Sequence, residues 1–103
     1  MAFKVVFRPQ AEADLIALYD YISHEAGVRV AGDYIARIEE ACLSLAASPA
    51  RGAPREDILP GLRIIAVERR TIVAFRVRGS VVTIARIFHG GRDWERWIRD
   101  DEV

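Results

Sequence analysis

Two helical periodicities separated by a single glycine constrain this chain more than any other feature. After Pro9, which suits the first position of a helix because its missing N–H costs nothing there, Ala11, Leu15, Leu18, Tyr19 and Ile22 fall on one helical face. Gly27 ends that helix. A second begins near Arg29, carries Ala31, Tyr34, Ile35, Ile38, Cys42, Leu45 and Ala46 at the same spacing, and stops at Ser48-Pro49. So short a connection forces the helices into an antiparallel hairpin. Apolar residues outside the main stripes, among them Ile16 and Tyr21, widen the apolar face beyond what one covering sheet requires. They serve either the contact between the two helices or a groove for a partner.

Strands surround the hairpin. Phe3 to Phe7 is short, β-branched and aromatic, and reads as a strand. Residues 49–61 are rich in Pro, Gly and charge and read as a loop. Leu62–Val67, Thr71–Val77 and Val81–Phe88 read as three strands joined by short connections at Arg69-Arg70 and Gly79-Ser80. In the last of them Val82, Ile84, Arg86 and Phe88 alternate with Val81, Thr83, Ala85 and Ile87. Arg92–Arg99, with Trp94 and Trp97, adds a final helical turn. The expectation is an α+β fold of order β-α-α-β-β-β, a helical hairpin packed on a twisted antiparallel sheet, with residues 1–103 forming one domain.

Charge is balanced overall but not along the chain. Residues 1–48 net to −3, and residues 51–92 hold nine arginines against Glu56, Asp57 and Glu68. Fourteen of the fifteen basic residues are Arg, whose flat fork binds carboxylates and phosphates in two places at once. Such a sheet fits a macromolecular partner better than a small substrate; ordinary solvation of an arginine-biased surface is the competing reading. The single Cys42 and the lack of an 18-residue apolar run lead to the expectation of a cytoplasmic chain with no membrane association. No Gly-rich phosphate loop, nucleophile elbow, zinc-ligand set or His-Glu-x-x-His occurs, so neither metal nor cofactor is expected.

One constellation remains. Arg63, Arg86 and His89 lie on or beside neighbouring strands, and Arg92 and Asp93 follow closely. Arginines that hold a phosphate and a histidine that protonates a leaving oxygen form a phosphodiester-cleaving set, with Glu68 the nearest base. Pairing of Arg63 and Arg86 with acids on the helices is the structural alternative. No tyrosine is expected near His89, since Tyr19, Tyr21 and Tyr34 all lie on the helices.

Arg8-Pro9-Gln10-Ala11-Glu12-Ala13-Asp14-Leu15 followed by Tyr19-Asp20-Tyr21-Ile22 resembles the first helix of the ParE toxins of the ParE/RelE superfamily. Cys42–Pro49 with Gly52 resembles the end of that family's second helix, and Pro60-Gly61-Leu62-Arg63 its entry into the next strand. Ile84–Asp93 resembles its closing strand and His-Gly-x-Arg-Asp ending. The chain departs from the pattern at Arg8, where a small capping residue is usual, and at Phe75, where a tyrosine is frequent.

The resemblance implies the toxin of a type II toxin–antitoxin pair. It would be neutralised by an acidic-rich, ParD-like antitoxin with a ribbon-helix-helix domain, and would reach operator DNA only through that antitoxin. It further implies a non-enzymatic poison that traps DNA gyrase on cleaved DNA, with toxicity resting on Arg63, Arg86, His89, Arg92, Asp93 and Trp94. Antitoxin binding is expected at the apolar hairpin face of Leu15, Ile16, Tyr19, Ile35 and Ile38. A ribosome-dependent messenger-RNA endoribonuclease using Arg63, Glu68, Arg86 and His89 is the first alternative; neutral charge and scarce lysine weigh against it. A non-toxic antitoxin-binding module is the second.

Overall fold

A computed structural model describes residues 3–90 and 94–100. In chain order these form β1 (Lys4–Phe7), α1 (Pro9–Ala26), α2 (Val28–Leu43), a short 3-10 turn at Ser44–Ala46, β2 (Ala53–Pro54), β3 (Leu62–Val67), β4 (Thr71–Arg78), β5 (Val81–His89) and α3 (Trp94–Asp100). The helical hairpin is as expected, and one glycine makes it. Gly27, at φ +96°, donates its N–H to the Ser23 carbonyl and accepts the Ala31 N–H on its own. It therefore closes α1 and opens α2 in a backbone conformation that a side chain would strain.

The sheet has five strands in the order β1-β5-β4-β3-β2. β3, β4 and β5 are an antiparallel meander, but β1 lies parallel to β5, from Lys4 opposite Val81 to Phe7 opposite Ile84. The sheet is thus mixed rather than purely antiparallel. The intervening hairpin and meander supply the long crossover that parallel neighbours need. The expected loop contributes a two-residue edge strand, Ala53-Pro54, opposite Ile64 and Arg63.

Both sheet faces are covered. On one, Leu15, Leu18, Ile38, Cys42 and Leu45 from the helices and the 3-10 turn meet Val73, Phe75, Val82, Ile84 and Ile87. On the other, Ile98 of α3 and Ile58 close over Leu62, Ala74 and Phe88. The simple alternation expected for β5 fails at one residue. Ala85 drops out of the pairing with β4, so Ile84 opposes Phe75 while Arg86 opposes Ala74. This β-bulge sets Ile87 on the helix face with Ile84, and Arg86 on the opposite face with Phe88.

The β3–β4 connection is longer than the expected Arg69-Arg70 pair: Glu68, Arg69 and Arg70 all lie outside the strands. Glu68 and Arg69 have φ of +54° and +68°, uncommon for residues with side chains. The turn is held where it is by an Arg70 N–H bond to the Glu68 carbonyl, a Gly90 N–H bond to the Arg70 carbonyl, and an ion pair between Glu68 and Arg37 of α2.

Candidate functional site

Asp14 organises the end of the sheet where His89 lies. β1 pairs with β5 only as far as Ile84, so the backbone of β5 beyond the bulge has no strand on that side. Asp14, on the buried stripe of α1 beside Ala11, Leu15 and Leu18, fills the gap. Its Oδ2 accepts the Ile87 N–H at 2.9 Å, and its two oxygens accept Nε and Nη2 of Arg86 at 2.9 and 3.1 Å. Both side chains are largely buried, at 17% and 12% exposure, and the Arg86 guanidinium also lies 5.0 Å from the Phe88 ring centre. A charge-assisted, two-pronged contact in such surroundings fixes the arginine. The alternative that Arg63 and Arg86 pair with acids on the helices is met for Arg86 in this pair; Arg63 binds backbone carbonyls instead.

His89 sits at the end of β5 opposite Thr71. Its Nδ1 is 3.0 Å from the Thr71 hydroxyl, which lies 2.9 Å from the hydroxyl of Tyr34 on α2. Thr71 is completely buried, so these two partners satisfy a group that would otherwise be costly there. The rings of Tyr34 and Tyr21 stand 5.7 and 6.3 Å from that of His89. The expectation that no tyrosine lies near His89 is therefore wrong. Both tyrosines belong to helices, as read, but the hairpin lies across this end of the sheet and brings them to the histidine. Arg37, over the Tyr34 ring at 5.6 Å, links this group to Glu68.

A cleft of about 420 Å³ opens beside these residues. Asp14, Tyr21, Arg70, Arg86, His89 and Trp97 supply its chemistry. Arg63 is not part of it. That side chain donates to the carbonyls of Ala50 and Gly52, at 2.8 and 3.3 Å, and pins the loop before β3. Glu68 does not line the cleft either. The four residues of the phosphodiester-cleaving set are thus divided among three local structures rather than converging on one point.

Of the remaining toxicity candidates, Arg92 and Asp93 lie outside the described residues. Trp94 is partly buried against the second core, 6.4 Å from the Phe88 ring, with the Arg55 guanidinium 5.3 Å from its own. Arg55 is clamped by Asp57 through two bonds and by Glu95 of α3. These bonds, that to Asp57 foremost, hold Arg55 above its ordinary pKa, and Arg55 in turn holds the Asp57 carboxyl below the usual range.

The hairpin-face candidates divide. Leu15, Ile16, Tyr19 and Ile35 line a second cleft of about 340 Å³ between α1 and α2, with Phe7 at one end. Ile16 is 65% exposed. Ile38 is wholly buried in the core and faces away from any partner. Asp14, Thr71 and Tyr34 were not singled out from sequence. Asp14 had a readable signal, an acid at position i+3 on an otherwise apolar stripe, which needs a buried partner; Thr71 and Tyr34 had none. Among the described residues no group of His, Cys, Asp and Glu side chains could hold a metal ion, and no helix is long and apolar enough to cross a membrane.

Residues 5–94 match the family model described as the ParE toxin of the type II toxin–antitoxin system, parDE. Toxin ParE3 of Caulobacter vibrioides is 32% identical over 87 residues, 84% of this chain and 86% of that one. Toxin ParE1 of Mycobacterium tuberculosis is 28% identical over 97 residues, 93% and 98% of the two chains. Among solved structures, a chain of the chromosomal ParDE system of P. aeruginosa superposes with a TM-score of 0.77 at 30% identity, covering 86% of this chain and 97% of that one. A chain of the RelBE2 toxin–antitoxin complex of M. tuberculosis shares the fold, with a TM-score of 0.62 at 21% identity over 89% and 95%. With its hairpin, mixed sheet and closing strand in the order these relatives share, the chain belongs to the ParE toxin family of type II toxin–antitoxin systems.

Proposed function

We propose that this ParE-family toxin arrests growth as a non-enzymatic poison of DNA gyrase, trapping the enzyme on cleaved DNA, and is held inactive by a ParD-like antitoxin with a ribbon-helix-helix domain. The observation that carries the non-enzymatic part is the dispersal of the candidate nuclease groups. Acid–base cleavage needs an acid and a base within hydrogen-bond reach of one reacting centre. Here Glu68 is engaged by Arg37, Arg86 by Asp14 and Arg63 by backbone carbonyls. The family match and the ParDE neighbour support the antitoxin, whose contact surface is the cleft of Leu15, Ile16, Tyr19 and Ile35. Arg63, Arg86, His89, Arg92, Asp93 and Trp94 remain the residues assigned to toxicity.

The ribosome-dependent endoribonuclease remains the second reading because of one observation: Tyr21 and Tyr34 beside His89 offer rings near an unpaired base. Expression of the toxin without its antitoxin, followed at both DNA and messenger RNA, separates the two. Gyrase-linked double-strand breaks with intact messages are expected. Fresh cuts in translated messages without breaks establish the nuclease, and unimpaired growth with folded toxin establishes a non-toxic binding module.

A further inference from the structure

Among the described residues Thr71 is the only buried polar side chain, and its hydroxyl has one hydrogen to give. Two groups lie within bonding distance of that oxygen: the Tyr34 hydroxyl at 2.9 Å and His89 Nδ1 at 3.0 Å. Hydrogens can run along such a chain in only two ways. In the first, Tyr34 donates to Thr71 and Thr71 donates to Nδ1. In the second, an Nδ1–H donates to Thr71 and Thr71 donates to the Tyr34 oxygen. The chemistry of the three groups selects the first. A phenol, with a pKa of roughly 10, is the more acidic hydroxyl and the better donor. Its oxygen is conjugated into the ring and is the poorer acceptor, whereas the in-plane lone pair of an imidazole nitrogen is the strongest acceptor of the three. The second direction would also leave the Tyr34 hydrogen without an acceptor among the described residues, since that hydroxyl has no other partner there.

We propose that Tyr34 and Thr71 are positioning residues which hold His89 with Nδ1 as acceptor and the hydrogen on Nε2, so that the toxin meets its target with a histidine N–H donor. This rests on the assignment of His89 to toxicity above and deepens it. A neutral imidazole carries one hydrogen, and the bond made by one nitrogen decides which of the two has it. The ring is also held in place. Tyr34 stands edge-on to it at 85°, Tyr21 is tilted at 55° to it, and the Gly90 N–H bond to the Arg70 carbonyl ties the end of β5 beside Thr71. Tyr34 belongs to α2 and Thr71 to β4, so the seat of the hairpin on the sheet sets the tautomer of a residue that lines the cleft. The target group that His89 meets is then an acceptor, such as a carbonyl or carboxylate oxygen. With its hydrogen on Nε2, the ring serves there as a donor and not as a base.

Nitrogen-15 NMR of the full-length toxin at about pH 8, above the ordinary histidine range, reads the tautomer directly. His24 is the only other histidine, and H24Q identifies the His89 signals. We expect the hydrogen on Nε2 alone in wild type and T71S, and a mixture of tautomers in T71V. A wild-type hydrogen on Nδ1 overturns the proposal. Potency is the concentration of purified toxin that gives half-maximal gyrase cleavage complexes on plasmid DNA, with growth arrest measured in parallel. T71V should need roughly fivefold more toxin, Y34F somewhat less, and T71S should stay near wild type. In an H89A background T71V should cost nothing further. An equal loss from T71V with and without His89, in proteins that melt normally by circular dichroism, makes the role of Thr71 structural and refutes the proposal. If T71V does not fold, Y34F and Y34F/H89A make the same comparison. H89A as potent as wild type sinks the proposal and leaves the gyrase reading standing. A wild type that arrests growth without cleavage complexes removes gyrase alone, and growth-arrest potency of the same variants then decides. A folded wild type that arrests nothing overturns both.

Discussion

Replacement of Asp14 by alanine is the sharpest test of how the closing strand is held. The substitution removes a two-pronged acid partner of a guanidinium that is 12% exposed, and the acceptor of the Ile87 N–H. Breaking one side of a buried ion pair costs about 3–5 kcal/mol. Because the pair is not fully buried the lower end applies, and an orphaned backbone N–H adds about 1 kcal/mol. Asp14→Ala should therefore lose about 3–4 kcal/mol from a total that for a domain of this size is roughly 5–15 kcal/mol. Urea unfolding followed by circular dichroism measures the loss directly, and a fall in Tm of roughly 12 °C or more should accompany it. Asp14→Asn, which keeps one carbonyl acceptor, should lose about half as much. Replacing both partners at once, Asp14→Leu with Arg86→Met, should recover most of the stability, since an apolar pair needs no counter-charge. A loss below 1 kcal/mol for Asp14→Ala would refute the view that this carboxylate closes the strand edge. The double variant has a second use. If it folds well but is not toxic, Arg86 or Asp14 acts on the target as well as on the fold; if toxicity returns with stability, the role of the pair is structural.

Burial pushes the Cys42 thiol up to about 12, from an ordinary value of 9.0. The native thiol should resist alkylation at pH 8 until the protein unfolds. Between about pH 9 and 12 the unfolded chain releases this proton and the folded chain keeps it. Its contribution is thus fully present below 9 and falls by about 1.4 kcal/mol per pH unit above it; the difference between wild type and Cys42→Ala in urea melts over that range reads the slope, and parallel curves would count against it. Gly52 has φ +87°, and a Cβ there would lie 2.3 Å from the Ile64 carbonyl oxygen. Gly52→Ala should lose about 2 kcal/mol or more and free the β2 edge strand, and an unchanged melting temperature would contradict that geometry.

The hairpin and the three-strand meander were readable because helical periodicity, Gly27 and the apolar runs are local signals. Leu62–Val67 lies where the sequence placed it. The parallel seat of β1 was not readable, because nothing within Lys4–Phe7 says which strand it will meet. The bulge was hidden for another reason: Ala85 interrupts a pattern that alternates without fault on paper, and only pairing with β4 reveals it. Arg86 illustrates the limit for the site. Its residue type suits a phosphate, and only the fold brings Asp14, seventy-two residues earlier, to meet it. For His89 the error ran the other way, since the helix-borne tyrosines were discounted for their position in the chain rather than in space.

The join between α1 and the far half of β5 bears on how the molecule meets other chains. An unpaired strand is a template for any extended peptide, and cells contain many. Beyond Ile84 that template is occupied by a side chain: Asp14 takes the N–H that an incoming strand would use, and α1 stands in its path. A partner therefore cannot lengthen the sheet along this flank, however well its sequence suits a β-strand, and must approach through side chains instead. A one-residue anchor on a helix thus acts as a lock against indiscriminate strand exchange in a protein whose function depends on choosing its partner.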